Sequence, residues 1–485
     1  MKLFIKSLSI LLFISVSLFC NAQITRSLKS FGLKGDGVTD DTNALIKAMV
    51  TAQNGTVLDG ENFTYLILKP IDLSLQSLVL KNVKFVVNKR FVNQTFKISS
   101  NNITFDNIFL DGGRGTYKKG YEKWNVFSSE NSVESIYPDE PDFFFFVGLD
   151  KDANFNITRF TVNNLHAASA ITIITFGNVN FKELNFSNLS NKSFHVYHSV
   201  DDGKTQSGTT HVSNAKSDNV GLLSEKVMVN NQIYDRASIK YMPQGSFNFI
   251  VSFGNYFFDN LYVHNYGSSG VTSDRNLNFI GNYINVVNDC AKTISNNPSG
   301  AVWFENTKNV RVDKIDVNIL NRDPRDFLFD SSAISLFSVD NIVNIGEINI
   351  ASPNIPVLNK GFKASLSGNN VISINKLDIK GSYKQAGGIF STMPNVPIES
   401  QINIGTLKYN NNQTFEFYGM KNVSVDEVIG DSGQEKLNFK LPFSIQSKEK
   451  YIINKTNLKQ IYLSDHIKKV NIIKPVEKIT FLDLK

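Results

Sequence analysis

Two cysteines are all that the 485 residues carry, and Cys290 is the one that lies beyond the N-terminal leader. A chain with one cysteine left cannot close a disulfide on itself, so packing alone must hold it in an oxidising compartment. Proline is scarce at 12 residues, and stretches rich in Ala, Leu and Glu, which would read as helices, are nearly absent. After the leader no apolar run is long enough to span a bilayer, which takes roughly 20 residues. Charge of one sign is not concentrated either. The formal net charge is +6, or +4 without Lys2 and Lys6, which suits an acidic polymer but lacks the basic clustering of a nucleic-acid binder. What is abundant is phenylalanine, with 38 residues, alongside many Ile, Val and Asn. That is the composition of a β-rich chain with frequent turns.

Residues 1–22 read as an export signal. Lys2 and Lys6 precede an apolar stretch over residues 8–19, and Cys20 and Ala22 fit a small-residue cleavage site. Cleavage near Ala22 implies a secreted or periplasmic protein. The remaining length, about 460 residues, exceeds an ordinary single domain, but repeat architectures grow along one axis and escape that limit.

Residues 30–42 read SFGLKGDGVTDDT and run directly into NALIKAM. Gly32, Gly35 and Gly37 permit tight turns. Thr39, Asp40 and Asp41 supply a helix cap and an acidic first turn. Ala44, Leu45, Ala48, Met49 and Ala52 fall on one helical face, so a short amphipathic helix is predicted that plugs the open end of a stack of strands.

This stretch resembles the entry segment of the pectate-lyase-like superfamily, which includes polygalacturonases, some epimerases and phage tailspike depolymerases. The superfamily pattern is a GDGxxDDT box, a short helix, then a strand and a turn. Residues 35–42 match the box, and residues 55–67 follow as strand and turn. Leu58-Asp-Gly-Glu replaces the usual Leu-Pro-x-Gly, a form nearer the tailspikes. The resemblance covers residues 30–67 and implies a right-handed parallel β-helix. Residues 23–67 would then be the entry segment with its capping helix, and residues 68–485 the β-helix itself.

The rest of the chain supports that fold independently. A short alternating strand, a turn containing Asn and a second alternating strand recur, as in residues 103–110, 179–186, 256–263 and 310–317. Taking the turn Asn as 255, 282, 309, 341 and 370 gives steps of 27, 27, 32 and 29 residues, which suits one coil of three strands. Asn tolerates left-handed turns and can bond to its copy in the next coil. Two intervals, from Asn102 to Asn178 and from Asn178 to Asn255, are each roughly three coils long by this count. They contain excursions near residues 113–146 and 191–244, rich in Tyr, His, Arg and Lys, which are expected to wall a groove.

Candidate site residues follow from coil alignment and residue type. In residues 300–305 alternation turns Trp303 and Glu305 outward. The coil before presents Thr272, Asp274 and Arg275, and the coils after present Ser335, Phe337 and Lys363. Trp303 beside Glu305 suits a sugar platform, and Asp274 and Asp289 suit a hydrolase's carboxylate pair. Asp289 can belong to such a pair or to a turn. The polygalacturonase motifs are missing, Gly-His-Gly among them. For β-elimination the candidates are His195, His264, Tyr266 and Lys240, with Arg236, Tyr197 and Trp124 as substrate contacts. In a strand, His195 and His198 face opposite sides, whereas His264 and Tyr266 share one.

These features predict a polysaccharide-degrading enzyme, with β-elimination of a uronate-containing glycan ahead of hydrolysis by a carboxylate pair. A uronate epimerase begins with the same proton abstraction, and a non-catalytic glycan-binding or adhesive β-helix is the reading from another class. No cofactor is called for. Calcium is the ion that a lyase of this kind would use, although no compact acidic run marks a calcium loop. The partner is the polysaccharide substrate, with no nucleic acid and no membrane span, and the chain is expected to be a monomer, since no heptad or stalk appears.

Overall fold

Almost every strand in this protein lies parallel to the one a coil before it. The computed structural model describes residues 24–472, except 53–54, 88–94, 115–121, 129–133, 199–207, 223, 236–245, 251–252, 268, 290–299, 322–331, 340, 353–357, 382, 393–397, 411–412, 433–434, 441–449, 459 and 464–469. Two parallel sheets, of 18 and 14 strands, are joined by turns into a parallel β-helix. The first is built from long strands such as Asn102–Asp111, Asn154–Leu165, Asn178–Leu189 and Asn255–Tyr266. The first three of these, and the strand Leu78–Val87, bend where Asn107, Arg159, Glu183 and Asn82 adopt left-handed φ values, so each of those folds round two sides of the coil. The second sheet takes the shorter strands, including Lys192–Tyr197, Val271–Asp274, Val302–Glu305 and Ser332–Val339.

Alternation along these strands sends one set of side chains into a continuous core. Phe85, Phe96, Phe105, Phe144, Phe194, Phe279 and Phe304 are all buried there. Their rings meet at tilted or edge-on angles, as in Phe96 against Phe105 with centroids 6.1 Å apart. The phenylalanine content is thus the core of the stack.

Asparagine ladders fasten the turns. The Asn278 amide donates to Asn255 over 2.6 Å and Asn309 donates to Asn278 over 2.8 Å. A second ladder links Asn107 to Asn82 over 2.8 Å. The register corrects the coil alignment made from sequence. Asn255 pairs with Asn278, Asn278 with Asn309, and Asn309 with Ile342. Asn282 therefore lies in the mid-strand bend, and Asn341 precedes the aligned position. The intervals of three coils were also overcounted. Asn154 divides the first and Thr209 the second, so each holds two coils, one of them carrying a long loop.

Those loops do not simply hang beside the coils. Glu122–Ser128, Glu134–Pro138, Lys226–Val229 and Gln232–Asp235 pair into a separate four-stranded sheet. By contrast Lys192–Tyr197 and Thr209–Val220, read from sequence as part of an excursion, are strands of the coils.

At the N-terminal end the helix Thr42–Thr51 buries Leu45, Ala48 and Met49. Its cap differs from the expected one. Asp41 makes no side-chain cap and instead accepts from the backbone N–H groups of Lys34 and Gly35, at 2.6 and 3.1 Å. Asp40 takes the N–H of Thr42 over 3.0 Å. Gly35 has φ +64°, and a Cβ there would lie 2.8 Å from that of Phe63. The box is a self-tied turn that seats the helix.

Candidate functional site

The outer face of the short-strand sheet groups several chemically able residues. Its register places Thr272, Trp303, Ser335 and Lys363 in one row across successive strands. Two residues further along each strand, Asp274, Glu305 and Phe337 form a second row. Adjacent strands lie about 4.8 Å apart, so Asp274 and Glu305 are immediate neighbours on one face. His195 and Tyr197 lie on the same face, with ring centroids 3.8 Å apart. His195 pairs with Asn248, and Asn248 with Thr272.

Asp274 is 6 % exposed. Burial, and then the charge of Glu305, push its carboxyl up to about 6, against the opposing pull of Arg275. The Arg275 guanidinium donates to both carboxylate oxygens at 3.2 and 3.3 Å from a backbone with φ 54°. Glu305 is held differently, by the indole N–H of Trp303, which donates to its Oε2 over 3.0 Å. Trp303 in turn stacks on Phe337, with centroids 4.9 Å apart and planes at 27°. The Lys363 ammonium sits 5.8 Å above the Phe337 ring. One face therefore joins an aromatic wall, a cation and a carboxylate pair of which one member holds its proton unusually long.

The floor between these groups is polar yet buried. Asn248, Thr272 and Ser335 face outward but are nearly inaccessible. Ser269 bonds to Thr272, and Ser332 to Ser335, each over 2.6 Å. Such satisfied hydroxyls fix the strand edges without leaving an apolar floor.

Other sequence candidates go elsewhere. His264 and Tyr266 belong to the long-strand sheet and do not share a face, because Asn265 between them is left-handed at φ 53°. His264 is exposed enough to meet solvent, whereas Tyr266 is buried. Nδ1 of His264 lies 2.8 Å from Asp218 and Nε2 lies 3.0 Å from Asp289. Burial opposes protonation, but the two carboxylates outweigh it and raise the imidazole above its ordinary value. Trp124 is 2 % exposed and packs edge-on against His166, so it offers no face to a sugar. Arg236, Lys240 and Cys290 lie outside the described residues, as does the leader over residues 1–22. One residue past the strand Lys192–Tyr197, His198 is fully buried, with Nδ1 3.0 Å from the Thr175 carbonyl and Nε2 2.8 Å from the Thr210 hydroxyl.

Two groups escaped the sequence reading. Lys192, in the strand of His195 and Tyr197, has its ammonium pulled below the ordinary lysine value by burial. Asp218 was invisible as a partner of His264, because the two are far apart in sequence and meet only through the coil register. Among the described residues no three His, Cys, Asp or Glu side chains converge to hold a metal. Nor is any helix there long and apolar enough to cross a membrane.

Residues 33–102 match the family model described as the N-terminal extension of bacteriophage endosialidase. The match takes in the entry box, the capping helix and the first coils, and ends well before Asp274 and Glu305. No curated protein and no solved structure matches this chain.

Proposed function

We propose that this chain is an exported, monomeric glycan-cleaving enzyme that cuts by hydrolysis between Asp274 and Glu305. The observation that carries this reading is the carboxylate pair, one member held up to about 6 and the other fixed by an indole N–H. Glycoside hydrolysis asks for one protonated and one ionised carboxyl on either side of the bond to be cut. Asp274 fits the general acid, giving its proton to the departing glycosidic oxygen. Glu305, oriented by Trp303, fits the partner that attacks the sugar or activates water. The Trp303–Phe337 wall supports a sugar face, and Lys363 beside it favours a glycan bearing acidic groups. A polymeric substrate is supported by the match to the extension of a bacteriophage endosialidase, and by the resemblance of residues 30–67 to the pectate-lyase-like entry segment.

A second reading is β-elimination on the same face, two strands from Asp274. It rests on the strand Lys192–Tyr197, where a lysine with a lowered pKa accompanies His195 and Tyr197. Elimination needs a base for the proton at C5 and a cation for the uronate carboxylate.

The test is a panel of pectic, alginate, glycosaminoglycan, sialic-acid and neutral polysaccharides, assayed for reducing ends and for unsaturated-uronate absorbance. Reducing ends alone, lost in Asp274→Asn and Glu305→Gln, are expected. Absorbance rising with them would transfer the chemistry to Lys192, His195 and Tyr197. Silence on every polymer would sink the enzymatic reading and leave a glycan-binding β-helix.

A further inference from the structure

A cavity of about 570 Å³ opens on the long-strand sheet, away from the carboxylate pair. That volume lies within the range of small-ligand sites. Its lining is set by the register. Asn185, Lys216, Tyr262 and Asn285 are direct partners in four successive strands, so they form one outward row at intervals of about 4.8 Å. Lys216 is exposed and has no ion-pair or hydrogen-bond partner among the described residues. Tyr262 is half-buried, and its ring meets Tyr283 edge-on with centroids 5.8 Å apart.

The neighbouring row holds Ser187, Asp218 and His264. Their order argues against covalent chemistry. A nucleophile relay needs the imidazole between hydroxyl and carboxylate, whereas here the carboxylate stands in the middle. The Ser187 hydroxyl instead donates to Asn163 over 2.7 Å. Nor is there an acid–base pair for hydrolysis, since Asp218 and Asp289 are both engaged by His264, at 2.8 and 3.0 Å. That engagement leaves Lys216 as the unpaired charge of the cavity.

We propose that this cavity is a second saccharide site, which holds an acidic stretch of glycan without cutting it. Lys216 takes a sugar carboxylate, Tyr262 gives a ring face to the adjoining sugar, and the Asn185 and Asn285 amides donate to and accept from its hydroxyls. A row of alternating polar groups and an aromatic, repeating once per strand, suits a ligand that itself repeats. The proposal rests on the glycan-cleaving reading for its choice of ligand. Holding one part of a polymer raises its effective concentration at the other site. The cavity should therefore assist long chains and leave short oligosaccharides unaffected.

The experiment is electrophoresis of the full chain through native gels containing polygalacturonate, alginate, hyaluronate or polysialate, with dextran as the neutral control. Asp274→Asn is the background, so that the polymer is not consumed. Retardation by at least one acidic polymer is expected, and Lys216→Met or Tyr262→Ser should weaken it about tenfold with unchanged thermal melts. Each loses roughly the 1.4 kcal/mol that this factor represents. Retardation by none of the four polymers, retardation by dextran to the same degree, or retardation that both substitutions leave intact would overturn the proposal. Should either variant melt lower, Lys216→Arg, which keeps the charge, must restore retardation. Polymer cleavage with no dependence on Lys216 or Tyr262 sinks this site alone. Lys216-dependent retardation in a chain that cleaves nothing sinks the cleavage reading and leaves the site standing.

Discussion

Asp274 and Glu305 are register partners on adjacent parallel strands, and each is tied to a different neighbour. Arg275 holds the first and the indole of Trp303 holds the second. The asymmetry separates their protonation. Burial and the charge of Glu305 raise Asp274 to about 6, while Arg275 works against both. Because the protonated form is the general acid, activity should fall as pH rises through about 6. Arg275→Met removes the opposing influence, so the alkaline limb of kcat/KM should move to higher pH. Asp274→Asn should lower kcat by about 100- to 10,000-fold, the usual range for loss of a general acid. A limb that stays fixed in Arg275→Met would show that Asp274 does not set it.

The aromatic wall makes a separate prediction about binding. Trp124 and Trp303 are the two tryptophans of the chain, one buried and the other half-buried on the open face. In Trp124→Phe the emission belongs to Trp303 alone, and a glycan substrate should quench it. Trp303→Ala should raise KM about thirtyfold, on the order of 2 kcal/mol for a central aromatic contact. It should also lower kcat, because the indole orients Glu305. Quenching that persists in Trp303→Phe with Trp124 intact would place the ligand elsewhere.

The fold was legible because its determinants are local and repeated. Residues 35–42 carry the turn in their own glycines and carboxylates, and strand alternation fixed the outward direction of Trp303 and Glu305. Coil register was less legible, since several Asn ladders run side by side. Asn278 sits in a ladder, whereas Asn282 in the mid-strand bend donates to Asp259 over 3.5 Å, and composition does not tell them apart. That slip hid the row from Asn185 to Asn285 and the pairing of Asp218 with His264. Left-handed residues were the other blind spot. Asn265 turns Tyr266 into the core, a reversal that alternation cannot foresee.

His198 predicts a loss of stability in mild acid. Its ring fills a slot between Gly208 and Gly254, where an added Cβ would lie 1.7 Å and 2.2 Å from ring atoms. Burial lowers its pKa to about 4, against about 6.5 unfolded. The unfolded chain therefore takes up a proton that the folded chain refuses. Stability should be full above pH 6.5 and decline as pH falls towards about 4. The total loss is about 3 kcal/mol, at 1.36 kcal/mol for each tenfold difference in proton affinity between the unfolded and the folded chain. Urea denaturation at several pH values checks this, and His198→Gln should flatten that part of the profile. Gly254→Ala should destabilise at every pH by forcing the imidazole from its slot.

A buried ion pair reaches the four-stranded side sheet, and the sheet should depend on it. Arg114 and Glu122 are both under a tenth exposed, and Nε of the arginine lies 2.5 Å from the carboxylate. Burial alone would raise the Glu122 carboxyl, but Arg114 and His166 outweigh it and hold it below its usual value. The same guanidinium also donates to the Leu222 carbonyl, so it ties the first loop to the second. Arg114→Met would strand a buried carboxylate, a change that costs about 3–5 kcal/mol when no partner replaces it. Glu122→Gln should cost less, because the charge left over is an arginine with a carbonyl still in reach. The loss should be local. In a Trp303→Phe background, Trp124 reports on this sheet alone, and its emission should shift to the red at lower urea than the circular dichroism of the coils. If Trp124 and the coils still unfold together in Arg114→Met, the side sheet is integral to the β-helix and the pair is no more than one contact among many.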